Sequence, residues 1–499
     1  MKLSQLLEGV TVSKLFQTMY GQMVVTHDVE VGRMQYDSRK IQRSDCFVAI
    51  KGTASDGHTF IQSAINQGAK VVVLEDDKVL PDPLCMHAGV LKVVVPDSRR
   101  ALAVMSANYF DHPSKKLRLV GITGTNGKTT TSHLIKAILE AGGEKVGLVG
   151  TIEYQIGKQI ITATHTTPES LELNELFASM VENNCTSVSM EVSSHALDQS
   201  RVYGLDFDAA VFTNLTQDHL DYHSTMDNYF KAKKILFTFL KPSGCAVINH
   251  EDQWGIQLLN SVEAKKISYG INSTADIFAK EIQLSINGTT FIVSNGQEEC
   301  TVSTPLIGTF NVYNVLAAYT TGMALGLSQE QILAGIKNLK NVRGRFERIV
   351  SPAGWTAIVD YAHTPDALEN CLKTIHDVLP KENRGRIITV FGAGGDRDKT
   401  KRPMMGRIAG DYSDLVIVTS DNPRTEVPEV IIDDVLQGII RHASVLREVD
   451  RQTAIERAIK CAQRGDVVLI AGKGHEDYQI IGKEKKHFSD REVVENLLS

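Results

Sequence analysis

The chain has 499 residues, 42% of them apolar and 22% charged, with a formal net charge of −6. At roughly 150 residues per domain this suggests about three domains, with enough apolar material for several cores and no need of disulfide or metal staples. The acidic balance argues against a strongly basic nucleic-acid binder and against a polybasic membrane anchor, although a local basic pocket remains compatible with it. No run approaches the roughly 18 consecutive apolar residues of a spanning helix, and residues 1–10 carry no apolar segment of the signal-peptide kind. The seven cysteines are scattered and form no CxxC pair, so they read as buried thiols of a reducing compartment. A cytoplasmic chain acting as a monomer is expected.

Residues 1–112 alternate short apolar runs with turns. The runs at 46–50 and 70–74 read as strands, with a helical pattern at 59–66 between them. The polar connector Asp111-His112-Pro113-Ser114-Lys115-Lys116 ends a first domain, expected to span 1–114. A second domain, 115–342, opens with a strand at 117–123, a Gly-rich turn and a helix at 129–140 that Ala141-Gly142-Gly143 stops. The runs at 187–191 and 210–214 end in polar residues, and the strand–helix alternation predicts an α/β domain with a mostly parallel sheet. Residues 275–305 instead alternate apolar and polar and contain Asn287-Gly288 and Asn295-Gly296, signals of type I′ hairpins. They predict a small antiparallel sheet on the same domain. Helical patterns follow at 312–325 and 328–339. The third domain, 343–499, carries continuous apolar runs at 357–360, 387–391, 415–419 and 467–471 with helical patterns between them, a second doubly wound, Rossmann-like unit. In such sheets ligands sit beyond the carboxyl ends of the strands, so the polar residues after each run are the candidates for function.

The strongest local signal is Gly121-Ile122-Thr123-Gly124-Thr125-Asn126-Gly127-Lys128-Thr129-Thr130. Between a strand and a helix, its glycines let backbone N–H groups reach phosphate oxygens, Lys128 can reach the outer phosphates, and the Thr129 hydroxyl can ligate Mg²⁺. It departs from G-x-x-x-x-G-K-[ST] because Ile122 stands five before Gly127. Glu191 ends a strand, as a Mg²⁺ ligand near such a loop would. His219 and His223, four apart beside Asp218 and Asp221, admit a zinc reading, but the segment lacks HExxH and a third ligand at a recognisable spacing. Gly392-Ala393-Gly394-Gly395-Asp396 is followed by Arg397, so the GxGxxG dinucleotide fingerprint fails. Asp396-Arg397-Asp398-Lys399 and Asp421-Asn422-Pro423-Arg424 cluster charges at strand ends, where an Arg can hold a carboxylate in bidentate fashion.

Taken together, these stretches resemble the Mur ligases, ATP-dependent amide-forming enzymes of cell-wall precursor synthesis. The matching stretches are Asp37-Ser38-Arg39, Asp56-Gly57-His58, the loop at 124–130, Thr166-Thr167-Pro168-Glu169, Met190-Glu191-Val192-Ser193-Ser194-His195 and Asp218-His219-Leu220-Asp221-Tyr222-His223. They continue with Gly344-Arg345-Phe346-Glu347, Asp360-Tyr361-Ala362-His363-Thr364-Pro365, Gly395-Asp396-Arg397-Asp398, Asp421-Asn422-Pro423-Arg424 and Gly472-Lys473-Gly474-His475-Glu476. The resemblance covers essentially the whole chain. It implies the three-domain architecture of that family: a P-loop ATPase-like central sheet with a small antiparallel sheet, and a Rossmann-like third domain.

The resemblance also implies the roles. The uridine end of a UDP-N-acetylmuramoyl-dipeptide would lie near Tyr36, Ser38, Thr53, Ala54 and Ser55, and the muramoyl-dipeptide near Thr166, Thr167, Ser193, Gln199 and Arg201. ATP would meet Gly124, Thr125, Asn126, Gly127, Lys128, Thr129 and Thr130, with Asn311, Arg345, Asp360 and His363 around adenine and ribose. Lys128, Glu191, His219 and Lys233 would be catalytic, with Mg²⁺ held by Thr129, Glu191, His219 and Lys233. Within Tyr229-Phe230-Lys231-Ala232-Lys233-Lys234, Lys233 aligns with a lysine that is carbamylated in the family, although three lysines crowd this stretch and leave the register open by one residue. Arg397, Asp421, Asn422, Pro423, Arg424, Gly472 and Glu476 would hold the incoming amino acid. The Arg424 loop resembles that of members taking meso-2,6-diaminopimelate, whose distal carboxylate an Arg can pair with; L-lysine is the alternative substrate. Folylpolyglutamate synthase, the ligase adding D-Ala-D-Ala, and a non-ligating P-loop NTPase module are the rival readings; the Asp-Asn-Pro-Arg and Gly-His-Glu stretches count against the first two. No nucleic-acid partner and no membrane anchor are expected.

Overall fold

A computed structural model describes residues 1–16, 18–19, 22–23, 28–52, 55–271, 274–339, 341–380, 384–440 and 443–498. Three sheets follow one another along the chain. The first has five strands in the order Lys14–Phe16, Leu91–Val94, Val71–Leu74, Cys46–Val48, Met34–Gln35, all parallel except the first edge strand. The strands at 46–48, 71–74 and 91–94 are buried at every position, because helices cover both faces.

The central sheet has eleven strands. Its parallel part runs Val146–Val149, Ser187–Glu191, Arg118–Thr123, Phe207–Phe212, Leu240–Asn249, Lys265–Gly270; the antiparallel hairpin Glu153–Ile156 and Gln159–Thr162 edges it beside Val146–Val149, and at the other end the alternating segment Ile277–Ser285, Gly288–Ser294, Glu299–Thr304 forms an antiparallel meander. That meander is not free-standing: Tyr269 and Gly270 pair in parallel with Ile277 and Phe278, so it extends the main sheet.

The hairpin turns differ from the expected type I′ form. Ser285 pairs with Gly288, which makes Ile286 and Asn287 the central residues, and neither takes a positive φ; that angle falls on Gly288, at 142°. A β-branched Ile resists the left-handed conformation that type I′ requires at both central positions. The second turn is a four-residue loop between Ser294 and Glu299, in which Asn295 Oδ1 accepts from the N–H groups of Gln297 and Glu298 and Gly296 alone is left-handed, at 86°.

The third sheet orders its six strands Glu347–Val350, Thr356–Asp360, Val467–Ala471, Ile387–Phe391, Leu415–Val418, Ser444–Arg447, parallel except at the first edge. Apolar clusters line both faces of each sheet, and some residues reach across: Leu171 packs into the first core, and Ile307 and Phe310 into the third. Among the described residues no helix is long and apolar enough to cross a membrane.

Candidate active site

The phosphate loop lies between strand Arg118–Thr123 and helix Lys128–Ala141. Two of its glycines are sterically required. A Cβ on Gly124 would come within 1.9 Å of Thr213 Oγ1, and one on Gly127, whose φ is 84°, within 2.3 Å of Asn314 Oδ1. The loop is held by the neighbouring strand end: Asn126 N donates to Asn214 Oδ1 at 2.9 Å, and Thr213 Oγ1 donates to Asn126 O at 2.7 Å.

Beside it, strand Ser187–Glu191 delivers the Glu191 carboxylate, which is fully buried. Glu191 Oε2 accepts from Thr129 Oγ1 at 3.1 Å and Thr151 Oγ1 at 3.0 Å, and Oε1 accepts from Thr151 N at 2.8 Å. Two threonine hydroxyls and one backbone N–H thus meet this buried carboxylate, hard oxygens of the kind a divalent cation takes, while among the described residues no cluster of three or more His, Cys, Asp or Glu adds to them.

Two lysines converge on one backbone oxygen. Lys128 Nζ donates to Gly124 O at 2.9 Å and Thr125 O at 2.7 Å, and Lys233 Nζ donates to Gly124 O at 2.7 Å. Helix Met226–Lys234 turns Lys233 inward and Lys231 to solvent. Burial pushes the ammonium of Lys233 far below the usual lysine range, and the nearby Lys128 adds to the effect; burial also lowers Lys128. His219, left-handed at φ 54°, is pushed down to about 3 by burial and is neutral at physiological pH.

The third domain closes this space. Arg345 Nη2 donates to Thr129 Oγ1 at 3.0 Å, Asn126 Nδ2 donates to Asp366 Oδ2 at 2.8 Å, and Lys401 Nζ donates to Asp218 Oδ1 at 3.1 Å. The Arg345 guanidinium stacks 4.8 Å from the Tyr361 ring centre. The result is a cavity of about 500 Å³ whose walls include the loop from Thr125 to Thr130, Glu191, Lys233, Arg345, Asp360 and His363.

A second cluster lies on the strand ends of the third domain. Asn422 Nδ2 donates to Glu476 Oε2 at 2.9 Å, and Arg424, left-handed at φ 52°, donates from Nη1 to Gly395 O at 2.7 Å. The hairpin of Tyr478–Ile481 and Glu484–His487 pins this loop: Arg424 N donates to Ile480 O at 3.1 Å, and Gly482 N to Arg424 O at 2.7 Å. Asp421 Oδ1 accepts from Asn422 N at 2.6 Å, while its buried Oδ2 has no hydrogen-bond partner among the described residues.

Comparison with known proteins agrees with this layout. The profile for the Mur ligase middle domain matches residues 122–322, that for the Mur ligase glutamate ligase domain 344–474, and that for the Mur ligase family catalytic domain 30–110. A UDP-N-acetylmuramoyl-L-alanyl-D-glutamate–2,6-diaminopimelate ligase of Parabacteroides distasonis is 46% identical over 95% of both chains. That of Geobacter sulfurreducens is 47% identical over 93% of both. The chain belongs to the Mur ligase family. A solved structure of a 2,6-diaminopimelate-adding ligase shares 33% identity at a TM-score of 0.67, covering 95% of this chain and 97% of that one. MurF from Acinetobacter baumannii, at 20% identity, shares the fold with a TM-score of 0.66 over 94% of this chain and 95% of that one.

In this Mur ligase the residues singled out from the sequence fall into three groups. Thr166 and Ser193 line the central cavity together with the nucleotide loop. Thr167, Gln199 and Arg201 stand just behind it: Thr167 Oγ1 donates to Glu191 O at 2.9 Å, and Arg201 donates to Thr167 O at 2.9 Å and Gln199 Oε1 at 2.8 Å. Asn311 does not face the central cavity. It lines a smaller space of about 180 Å³ and accepts at Oδ1 from Asn314, which takes the cavity-facing position. None of Arg397, Asp421, Asn422, Pro423, Arg424, Gly472 and Glu476 lines the central cavity. Arg397 is exposed, Pro423 is buried in the Asn422 loop, and Gly472 packs against the Asp421 carboxylate. Tyr36 donates to Glu172 Oε1 at 2.7 Å across the boundary between the first two sheets, Ser38 opens a short 3-10 helix and Ser55 is exposed. Thr53 and Ala54 lie outside the described residues.

Thr151, Asp366 and Lys401 escaped the sequence reading, and Lys473, though part of a matching stretch, was given no role there. Thr151 follows strand Val146–Val149 as the other candidates follow theirs. Asp366 directly follows the quoted Asp360-to-Pro365 stretch, so position alone could have found both.

Proposed function

We propose that this Mur ligase uses ATP to join meso-2,6-diaminopimelate to the D-glutamate of UDP-N-acetylmuramoyl-L-alanyl-D-glutamate, in cytoplasmic peptidoglycan precursor synthesis. The observation that carries this reading is the 46% identity over 95% of both chains with a ligase named for that reaction, in a chain whose Arg424 side chain stands at the third-domain strand ends. The seven cysteines are free thiols, compatible with a reducing cytoplasm; five are buried as expected, but Cys300 and Cys461 are only half-buried.

A carboxylate is a poor electrophile. The γ-carboxylate of D-glutamate attacks the γ-phosphorus of ATP, releasing ADP and forming an acyl phosphate. The amine then attacks the acyl carbon, and the tetrahedral species expels phosphate. Several anionic oxygens must meet, so charge neutralisation and positioning supply most of the catalysis. Lys128, half-buried at the loop, faces the phosphates. Arg345 and Asp360 bring the third domain against the nucleotide. Thr166, Thr167, Ser193, Gln199 and Arg201 orient the muramoyl-dipeptide. Thr129, Glu191, His219 and Lys233 would hold Mg²⁺, which supplies Lewis-acid neutralisation of phosphate and carboxylate oxygens. Lys233 supports a further step in this reading: its desolvated amine, with no carboxylate paired to it among the described residues, is of the kind that takes up CO₂ as a carbamate and becomes an anionic oxygen ligand.

At the amino-acid loop, Arg424 pairs with the distal carboxylate of diaminopimelate, which L-lysine lacks, and Glu476 accepts from the distal ammonium. The deciding experiment measures ADP release with each substrate omitted in turn, and with diaminopimelate and L-lysine side by side. Strict dependence on the UDP-dipeptide and on diaminopimelate is expected. ATP turnover that ignores either substrate overturns the ligase reading, and equal use of lysine overturns the choice of amino acid.

A further inference from the structure

Lys473 stands among the proposed diaminopimelate contacts without being one of the residues matched to that role. It follows strand Val467–Ala471, and its side chain has no solvent exposure. Its ammonium donates to Glu476 Oε2 at 2.8 Å and to Asn422 Oδ1 at 3.2 Å, and lies 5.5 Å from the Tyr478 ring centre. Asn422 closes the triangle, its Nδ2 donating to the same Glu476 Oε2 at 2.9 Å. Ile480 N, on the hairpin that pins Arg424, donates to Asn422 Oδ1 at 2.9 Å.

The two oxygens of Glu476 are thereby made unequal. Oε2 carries two donors, whereas among the described residues Oε1 meets only the Tyr478 hydroxyl, at the long distance of 3.5 Å. A carboxylate held by one oxygen presents the other in a fixed direction, and a fully buried ammonium is a costly way to hold it unless that direction matters. The same ammonium fixes Asn422, two residues from Arg424, so one buried charge joins the acceptor for an ammonium to the loop that carries the donor for a carboxylate.

We propose that Lys473 is a positioning residue for amino-acid selection. By binding Glu476 Oε2 and Asn422 Oδ1 it aims Glu476 Oε1 at the ammonium of the incoming amino acid and sets its spacing from Arg424, so that a terminus bearing both ammonium and carboxylate is accepted and a bare ammonium is not. The inference rests on the function proposed above. Lys473 acts through Glu476 and touches no reacting atom.

The test is a double-mutant cycle of Lys473→Met and Glu476→Gln in the full-length enzyme, read as separate KM and kcat values for diaminopimelate, ATP and the UDP-dipeptide. Lys473→Met is expected to raise KM for diaminopimelate at least tenfold, to leave KM for the other two substrates within about twofold, and to narrow the preference over L-lysine. On the Glu476→Gln background the same change is expected to alter KM for diaminopimelate by less than about twofold, because its target is already neutralised. Lys473→Met strands the Glu476 carboxylate and Glu476→Gln strands the buried Lys473 ammonium, so either can fail to fold; the double variant leaves neither charge unpaired, and an unchanged KM for diaminopimelate in it overturns the proposal by itself. An unchanged diaminopimelate KM in Lys473→Met, or effects of the two substitutions that multiply, overturns the proposal. If the unmutated enzyme releases no ADP in response to diaminopimelate, the function reading fails and takes the inference with it.

Discussion

Asn126, in the phosphate loop, and Asp366, at the start of helix Pro365–Val378, are joined by a 2.8 Å hydrogen bond across 240 residues of chain. Thr216 adds a 3.5 Å contact to the same Asp366 oxygen. The bond ties the third domain to the glycine loop, and in the proposed reaction it would help hold the two domains together so that water is kept from an acyl phosphate. Asp366→Ala is expected to lower kcat about tenfold, the worth of one hydrogen bond to a charged group, with nucleotide affinity little changed. Adding Asn126→Ala should cost nothing more. Steady-state kinetics beside an equilibrium ATP-binding measurement checks both points, and multiplying losses would show that the two residues act separately.

Arg424 holds a left-handed backbone and also bonds Gly395 O. Arg424→Ala is expected to reduce kcat/KM for diaminopimelate at least 100-fold while ATP affinity stays within about twofold, in keeping with the loss of a bidentate charged pair. Arg424→Lys keeps the charge but not the planar fork, so it should recover only a small part of that loss. Rates with diaminopimelate at fixed ATP distinguish these outcomes.

Lys233 couples function to a cost in stability. Its ammonium is buried, lowered by desolvation, and sits against Lys128. Lys233→Met removes that cost without leaving a hole, so the ligand-free protein should melt about 1–3 °C higher. Turnover should fall more than 100-fold. Calorimetry and ADP release on the same preparation provide the check; a lower melting temperature would contradict this account of the burial.

Glu426 supplies a pH-dependent contribution within the third domain. Arg402 bonds both of its oxygens and holds its carboxyl down at about 2, against burial that raises it. A carboxyl lowered in the folded state stabilises above its unfolded pKa, and that contribution is lost as pH falls through the folded value. The difference in melting temperature between the wild type and Glu426→Gln should therefore be full at pH 7, shrink below about pH 4.5, and vanish near pH 2. Thermal melts across that range read it directly.

The nucleotide loop was legible in the sequence because its determinants are local. A strand, close-packed glycines, Lys128-Thr129 and a helix start all lie within one short segment, and the structure places Thr125 to Thr130 on the cavity wall. The doubly wound third sheet was legible for a similar reason, since strands covered on both faces are written as continuous apolar runs. The hairpin turns were misjudged because the Asn-Gly signal presumes those two residues are the central pair, whereas cross-strand pairing puts Ile286 and Asn287 there.

Asn311 shows where local reading stops. One helix carries both Asn311 and Asn314, and only packing against the third domain decides that Asn314 faces the large cavity while Asn311 faces the small one. The bonds from Asn126 to Asp366 and from Lys401 to Asp218 span 240 and 183 residues. Such pairs leave no periodic trace in the chain, because each partner satisfies its own local pattern whether or not the other arrives. Residue type and local pattern thus settled most elements, the strand–glycine loop–helix unit at 118–141 and the kinds of charge at the strand ends. Which of those charges meet, which stay buried and which oxygen of Glu476 takes two donors depend on the packing of segments far apart in sequence, where desolvation makes a few tenths of an ångström decisive.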